Sequence, residues 1–228
     1  MTTVAAQTVD AAVEELLGAI RDRREIEQLS AAWPSLDEAT GYRIQERLVE
    51  RLCADEHSHP GGIKLGLTSA VKQKQMNVDE PIYGMLLASR LVAEGEPLPL
   101  AALIHPKAEP ELALVLGTEL RGPGVTAAQA RAGIASACVA MEIIDSRFTD
   151  FKFTLADVIA DNTSAARHAV STYRVPAAGL DLRTLGAVFE KNGEVVATGA
   201  GAAVLGDPAL GLAWLANKRA AHGRSIPA

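Results

Sequence analysis

From Gly61 onward, the sequence alternates short apolar segments with turns that contain Gly or Pro, and this alternation limits the folds open to the chain. Four of the apolar segments have the length and composition of β-strands: Ile63–Leu67, Ile82–Leu87, Leu112–Leu116 and Ala135–Ile144. Farther on, Asn192-Gly193 separates two apolar arms, which is the pattern of a two-residue type I′ β-hairpin. Few strands are joined through a helix, so we predict an α+β fold with a β-rich core.

The N-terminal part of the chain instead has apolar residues at helical spacing. This spacing predicts one helix from Thr8, its N-cap, to Leu29, and a second helix that begins with a capping box formed by Ser35 and Glu38. Two further helices are predicted later in the chain, one capped by Thr68 or Ser69 and ending near Met76, and one from near Pro208 to about Ala221. We therefore predict a helical layer over residues 1–55 and a β-rich domain over residues 56–228.

The composition excludes several classes of protein. The chain of 228 residues has a formal net charge of −6, which argues against a general nucleic-acid binder. No apolar run approaches the ~20 residues that cross a bilayer, and the N-terminus lacks the basic and apolar regions of a signal peptide. Cys53 and Cys138 form no metal-binding pair and are typical of a reduced, cytoplasmic protein.

Ionisable residues inside apolar strands are the candidates for a functional site. Glu142 is the only charged residue in the predicted strand Ala135–Ile144, where a carboxylate must be exposed, paired or bound to a metal. Glu109 and Glu111 lie two residues apart, so on a strand they project from one face. Pro110 cannot donate a ladder hydrogen bond, which predicts a sheet edge or a bulge. Three carboxylates without His or Cys favour Mg²⁺ or Mn²⁺ over zinc.

Other polar residues near these strands are open to two interpretations each. Lys64 lies among Gly and aliphatic residues, where it meets an anionic substrate or extends its ammonium to solvent. Asp145 and Arg147 form either an ion pair or a substrate clamp. Asp161, with the Asn that follows it, forms a turn or a polar wall of a site, and His105 is either a base or a structural residue.

Four segments then occur in a recognisable order: GGIKLGLTS, MNVDEPIYGML, HPKAEPELALVLG and MEIIDSRFTDFKFTLADVIADNTS. From about Tyr42 to Leu215, the chain resembles the hydratase and decarboxylase branch of the fumarylacetoacetate hydrolase superfamily. The resemblance implies a mixed β-sheet roll around a metal, with helices outside. Family members continue beyond HGRSIPA with a Gly-rich segment and closing strands, so we expect a roll that lacks those strands.

The resemblance also assigns roles to particular residues. It implies Mg²⁺ or Mn²⁺ ligation by Glu109, Glu111 and Glu142. It implies that Lys64 binds or polarises the substrate. We also predict catalytic roles for Arg147 and Asp145, and substrate binding by Leu65, Tyr83, Lys152 and Asp161.

Two details of the resemblance favour a decarboxylase over a hydratase. The stretch Pro81-Ile82-Tyr83-Gly84 lacks the Asp found in the hydratases, and Phe151–Phe153 reads Phe-Lys-Phe, as in the decarboxylases. The implied reaction converts 2-oxohex-3-enedioate to 2-hydroxypenta-2,4-dienoate and CO₂ in the meta-cleavage degradation of aromatic compounds. The implied partners are further copies of the chain and 2-oxopent-4-enoate hydratase. Hydration of 2-oxopent-4-enoate, hydrolysis of an acylpyruvate, and an inactive partner of the hydratase stay open as alternatives.

Overall fold

The computed structural model of the chain describes residues 6–228. The helices are α1 (Ala6–Asp22), α2 (Leu29–Ala32), α3 (Glu38–Asp55), α4 (Ala70–Met76), α5 (Ala127–Gly133), α6 (Leu155–Ala160) and α7 (Pro208–Ala220). The strands are β1 (Pro60–Gly66), β2 (Ile82–Leu87), β3 (Lys107–Leu116), β4 (Ile134–Ile144), β5 (Ala165–Val170), β6 (Val175–Pro176), β7 (Gly186–Lys191) and β8 (Glu194–Ala200). The predicted α+β class is confirmed.

The strands of the described residues form three separate sheets, and none of the three is closed into a barrel. β1 and β2 are an antiparallel pair in which Lys64 lies opposite Gly84. The four-stranded sheet has the order β3-β4-β5, with β6 paired to β4. β3 is therefore an edge strand, which confirms the position predicted from Pro110.

The hairpin β7–β8 is also confirmed. Its turn residues Asn192 and Gly193 have φ of 55° and 84°, the left-handed values that a type I′ turn requires.

Contacts divide the chain into two compact units. The first comprises the described part of Met1–Gly66 together with Ile82–Glu109 and Met141–Ala169. Its apolar core joins α1 and α3 through residues that include Leu16, Ile44 and Leu48, each with 0% exposure. The second unit comprises Leu67–Pro81, Pro110–Ala140 and Val170–Ala228. Within it, the Asn217 side-chain amide on α7 donates to the carbonyl of Val125 and accepts from its backbone N–H.

Two predicted helix boundaries are wrong. α1 begins at Ala6 and ends at Asp22, so Thr8 lies inside the helix and is not its N-cap. Arg23 adopts a left-handed φ of 52°, and the Ile26 N–H donates to the Arg147 carbonyl, so the chain leaves the helical path well before Leu29.

The predicted capping box at the start of α3 is wrong as well. The N-cap is Asp37, whose carboxylate accepts from the Thr40 N–H at 2.8 Å, and Glu38 is already helical. The predicted cap at Ser69 and the helix that starts at Pro208 are confirmed. Among the described residues, no helix is long and apolar enough to cross a membrane. The domain boundary after residue 55 stays a prediction.

Candidate metal centre

Three carboxylates converge where β3 and β4 lie side by side. Glu109 and Glu111 project from β3 and Glu142 from β4, and one oxygen of each lies within 4.8 Å of the others. The alternation of side chains along a strand places residues two apart on one face, so the convergence of the first two follows from the sequence. Strand pairing in the sheet adds the third, which lies far from them in sequence.

Glu142 is buried and paired with a lysine. Its side chain is 2% exposed, and its Oε2 lies 2.8 Å from the Nζ of Lys64, whose side chain is 3% exposed. The solvent-facing alternatives for Glu142 and Lys64 are therefore wrong. Burial raises the pKa of Glu142, the Lys64 ammonium opposes this rise, and the carboxylate of Glu109 adds to it.

The oxygens of Glu142 provide a test of whether the cluster fits a metal ion. Oε2 of Glu142 is paired with the Lys64 ammonium, and Oε1 has no hydrogen-bond partner among the described residues. A buried carboxylate oxygen without a partner is costly, and a cation among the three carboxylates removes that cost. The donor atoms are all oxygens, which suits a hard divalent ion such as Mg²⁺ or Mn²⁺. The residues therefore fit the expected group.

Lys64 is held in place by the turn Asn162–Ser164. Its Nζ donates to the Thr163 carbonyl at 3.3 Å, and the Thr163 hydroxyl donates to the Tyr83 carbonyl at 2.9 Å. All three residues of the turn have left-handed φ values of 51°, 54° and 58°. Three consecutive non-Gly residues in this region are costly and persist only where their surroundings impose them.

Strand β2 imposes this conformation on the turn. The Asn162 side chain accepts from the Met85 N–H and donates to the Met85 carbonyl, both at 2.8 Å, as a paired strand would. Gly84 allows the approach, because a Cβ at that position would lie 2.6 Å from the Asn162 carbonyl oxygen. The turn interpretation of the Asp161-Asn162 dipeptide is confirmed.

Two of the predicted substrate-binding residues lie beside Lys64. Leu65 is half-buried on β1 and lies opposite Tyr83 on β2. The Tyr83 ring is buried and stacks on Tyr42, with ring centroids 4.7 Å apart. Because side chains alternate along a strand, Leu65 and Tyr83 project from the face of the β1–β2 pair opposite to Lys64, and their contact with a substrate stays a proposal.

Arg147, Asp145 and Asp161 form a buried structural network. Arg147 is ion-paired through Nε with the carboxylate of Asp161, and it also donates to the Asp161 carbonyl at 2.6 Å. The Asp145 carboxylate accepts from the backbone N–H groups of Ile104 and His105 at 2.9 and 2.8 Å. The alternative in which Asp145 and Arg147 form an ion pair with each other is therefore wrong. Burial raises the pKa of Asp161 to about 6, although Arg147 opposes the rise.

Two other candidates are held by surface or structural contacts. The Lys152 side chain is 75% exposed, and its ammonium lies 3.1 Å from the carboxylate of Asp150. The His105 Nδ1 atom lies 2.7 Å from Glu25, and its ring lies against Phe151 with centroids 4.4 Å apart. These contacts favour the structural interpretation of His105 and give Lys152 no place beside the carboxylates.

The sequence analysis did not identify Thr163 and Gln45, which help to hold Lys64 and its neighbour Tyr83 in place. Thr163 acts through its backbone carbonyl, which no sequence pattern identifies. Gln45 is buried on α3, and its side-chain amide donates to the carbonyls of Tyr83 and Ile159 at 2.8 and 3.0 Å. A Gln on the apolar face of a predicted helix was the available signal for this residue.

Known proteins are similar to this chain along almost its whole length. Residues 58–222 match the family model described as "Fumarylacetoacetate (FAA) hydrolase C-terminal". The chain belongs to the fumarylacetoacetate hydrolase family. Among family relatives, 4-oxalocrotonate decarboxylase of Pseudomonas sp. strain CF600 is 42% identical over 226 residues, covering 99% of this chain and 85% of that protein. A 2-hydroxypent-2,4-dienoate hydratase of Pseudomonas putida is 37% identical, covering 90% of this chain and 92% of that protein.

A solved family structure has the same fold. The structure of 4-oxalocrotonate decarboxylase from Pseudomonas putida G7, complexed with magnesium and adipate, matches with a TM-score of 0.95 and 38% identity. The match covers 100% of this chain and 86% of that chain. The fumarylacetoacetate hydrolase-like fold predicted from the four ordered segments is confirmed.

Proposed function

We propose that this chain is a divalent-metal-dependent carboxy-lyase that converts 2-oxohex-3-enedioate to 2-hydroxypenta-2,4-dienoate and CO₂. The observation that carries the proposal is the buried Glu142 carboxylate, which is paired with Lys64 and converges with Glu109 and Glu111. Similarity along nearly the whole chain to 4-oxalocrotonate decarboxylases supports the reaction type.

In this proposal Glu109, Glu111 and Glu142 hold Mg²⁺, with Mn²⁺ as the alternative ion. When bound, the metal supplies a Lewis acid that favours negative charge on the 2-oxo oxygen of the substrate. The three carboxylates fix where that charge is favoured, and the burial of Glu142 shields that side of the site from water.

Lys64 adds a second positive charge at the site. Its ammonium is fixed by Glu142 and by the Thr163 carbonyl, so it needs no reorganisation when charge develops on the substrate. Loss of CO₂ breaks the carbon–carbon bond to the far carboxylate and moves the electron pair through the double bond to the 2-oxo oxygen, which takes up a proton to give 2-hydroxypenta-2,4-dienoate.

Arg147, Asp145 and Asp161 have structural roles in this proposal. Their charges are satisfied within the buried network, so they keep the end of β4 and the turn Asn162–Ser164 in place. The Asp145 N–H donates to the Ser164 carbonyl at 2.8 Å, which links the network to the turn that holds Lys64.

A second candidate is hydration of 2-oxopent-4-enoate, because hydratases match most of this chain with the same fold family. Two incubations of the purified chain with Mg²⁺, one with 2-oxohex-3-enedioate and one with 2-hydroxypenta-2,4-dienoate, each with and without EDTA, test the two reactions. Metal-dependent CO₂ release supports the decarboxylase. Water addition to 2-hydroxypenta-2,4-dienoate without CO₂ release supports the hydratase. A folded chain that catalyses neither reaction and binds no Mn²⁺ supports the remaining alternative, an inactive partner of the hydratase.

Assembly and location complete the proposal. We expect a cytoplasmic homo-oligomer that also associates with 2-oxopent-4-enoate hydratase, and both cysteines are free, as a reducing compartment favours. Light scattering on the chain alone, and then on a mixture with the hydratase, measures both associations.

A further inference from the structure

An arginine-lined cavity lies within the first unit, apart from the carboxylate cluster. Its volume is about 120 Å³, which is room for several water molecules or one small ion. Four arginines line it: Arg23, Arg90, Arg147 and Arg167. The acidic residues of the lining are Glu56 and Asp145, and none of Lys64, Glu109, Glu111 and Glu142 is part of it.

Two of the four guanidinium groups are already neutralised. Arg90 donates to Glu56 at 2.7 Å, and Arg147 is ion-paired with Asp161. The Asp145 carboxylate is committed to the backbone N–H groups of Ile104 and His105.

The other two guanidinium groups have no carboxylate partner within 4.0 Å among residues 6–228. Arg167 is half-buried on β5, and its one intramolecular hydrogen bond runs from Nη1 to the Ala166 carbonyl at 2.8 Å. Arg23 is exposed just after α1 and is part of the cavity lining. Since a guanidinium carries five N–H donors, most of the donors of Arg167 are uncommitted.

Four guanidinium groups line the cavity, and the carboxylates of Glu56, Asp145 and Asp161 oppose them, so one positive charge is left over. Burial lowers the pKa of Arg167, and the neighbouring Arg90 lowers it further, while Glu56 and Asp145 oppose the shift. A partly buried cation without a partner is costly, and the planar fork of a guanidinium matches the geometry of an oxyanion.

We propose that this cavity binds a small oxyanion, either inorganic phosphate or a short carboxylate, between the guanidinium groups of Arg167 and Arg23. The anion neutralises the one positive charge that Glu56, Asp145 and Asp161 leave over. Arg90 and Arg147 stay paired with their carboxylates and form the cationic wall behind the anion. Because the cavity is lined by Ile20 on α1, by Arg167 on β5 and by segments between the elements of the first unit, its occupation stabilises the fold of that unit.

Thermal unfolding at constant ionic strength tests the proposal. Phosphate, and in a separate arm acetate, replaces chloride in increasing amounts, and calorimetric titration measures the affinity directly. We expect a saturable rise in Tm with at least one anion, and the arm with the larger response identifies the class. Arg167→Gln should weaken the affinity tenfold or more. Arg47→Gln, which alters an exposed arginine on α3, should leave it unchanged.

Arg23→Gln is the second variant, because Arg23 is exposed and its replacement leaves the buried contacts of the unit intact. It should weaken the affinity several-fold even if Arg167→Gln fails to fold. The absence of a saturable response to both anions in the unaltered chain would overturn the proposal. Equal affinity in the unaltered chain and in the folded arginine variants would overturn it too.

Discussion

The Nζ atom of Lys64 lies 2.8 Å from Oε2 of Glu142, and at least 97% of each side chain is hidden from solvent. Each charge is tolerable in this position only because the other is present. The same arrangement places a fixed cation beside three carboxylates that fit a metal ion. Stability and the proposed chemistry thus depend on the same pair, which leads to the first prediction.

Replacement of Lys64 by Met should destabilise the chain by about 3–5 kcal/mol in EDTA, because it leaves Glu142 buried without its cation. The loss should be smaller with saturating Mg²⁺, since the bound ion neutralises the same carboxylate. Urea unfolding in the two buffers measures both values. Lys152→Met, which removes a surface ion pair, should cost at most about 1 kcal/mol in either buffer. An equal loss for Lys64→Met in both buffers would show that no metal ion reaches Glu142.

Gly84→Ala should destabilise the chain by about 1–3 kcal/mol, because the added Cβ would lie 2.6 Å from the Asn162 carbonyl oxygen. The turn that holds Lys64 must then shift, so kcat should fall as well as Tm. Gly186→Ala is the matched control, because no atom lies within 4 Å of its added Cβ and its backbone is not left-handed. If both variants unfold at the same urea concentration as the unaltered chain, the close approach of the turn to β2 is not needed.

His168 should make stability depend on pH below about 6.5. Burial lowers the pKa of His168, so the unfolded chain binds a proton that the folded chain excludes. Stability contributed by the neutral imidazole is therefore present above pH ~6.5 and is lost as the pH falls through the lower folded-state pKa. His168→Gln cannot titrate and should show a flatter Tm between pH 7 and pH 5. His59→Gln, at an exposed position, should keep the original slope. A slope unchanged by His168→Gln would remove this group from the acid sensitivity of the fold.

The sequence predicts most of the local structure for physical reasons. β2 and the hairpin β7–β8 follow from apolar runs and from Asn192-Gly193, because strand and turn preferences act over a few residues. The start of α7 follows from Pro208, which is favoured in the first helical turn. The end of α1 could not be predicted in this way, because it depends on the long-range pairing of Ile26 with Phe148.

In the candidate site, too, local features could be predicted from the sequence and long-range contacts could not. The shared face of Glu109 and Glu111 follows from strand alternation, whereas the approach of Glu142 and Lys64 depends on how distant strands pair and pack. The family resemblance supplied that long-range information for the carboxylates and the lysine. It did not supply the role of Thr163, because a backbone carbonyl leaves no trace in the sequence.

The most direct test of the central claim is a calorimetric titration of the purified chain with Mn²⁺, compared with Glu142→Gln and with Glu50→Gln. Glu50 is an exposed acid on α3, so its variant should bind Mn²⁺ as the unaltered chain does. The account predicts one strong site in the unaltered chain and an affinity at least tenfold weaker, about 1.4 kcal/mol, in folded Glu142→Gln. Binding of Mn²⁺ to folded Glu142→Gln with unaltered affinity would contradict the account, because the converging carboxylates would then not be the metal site.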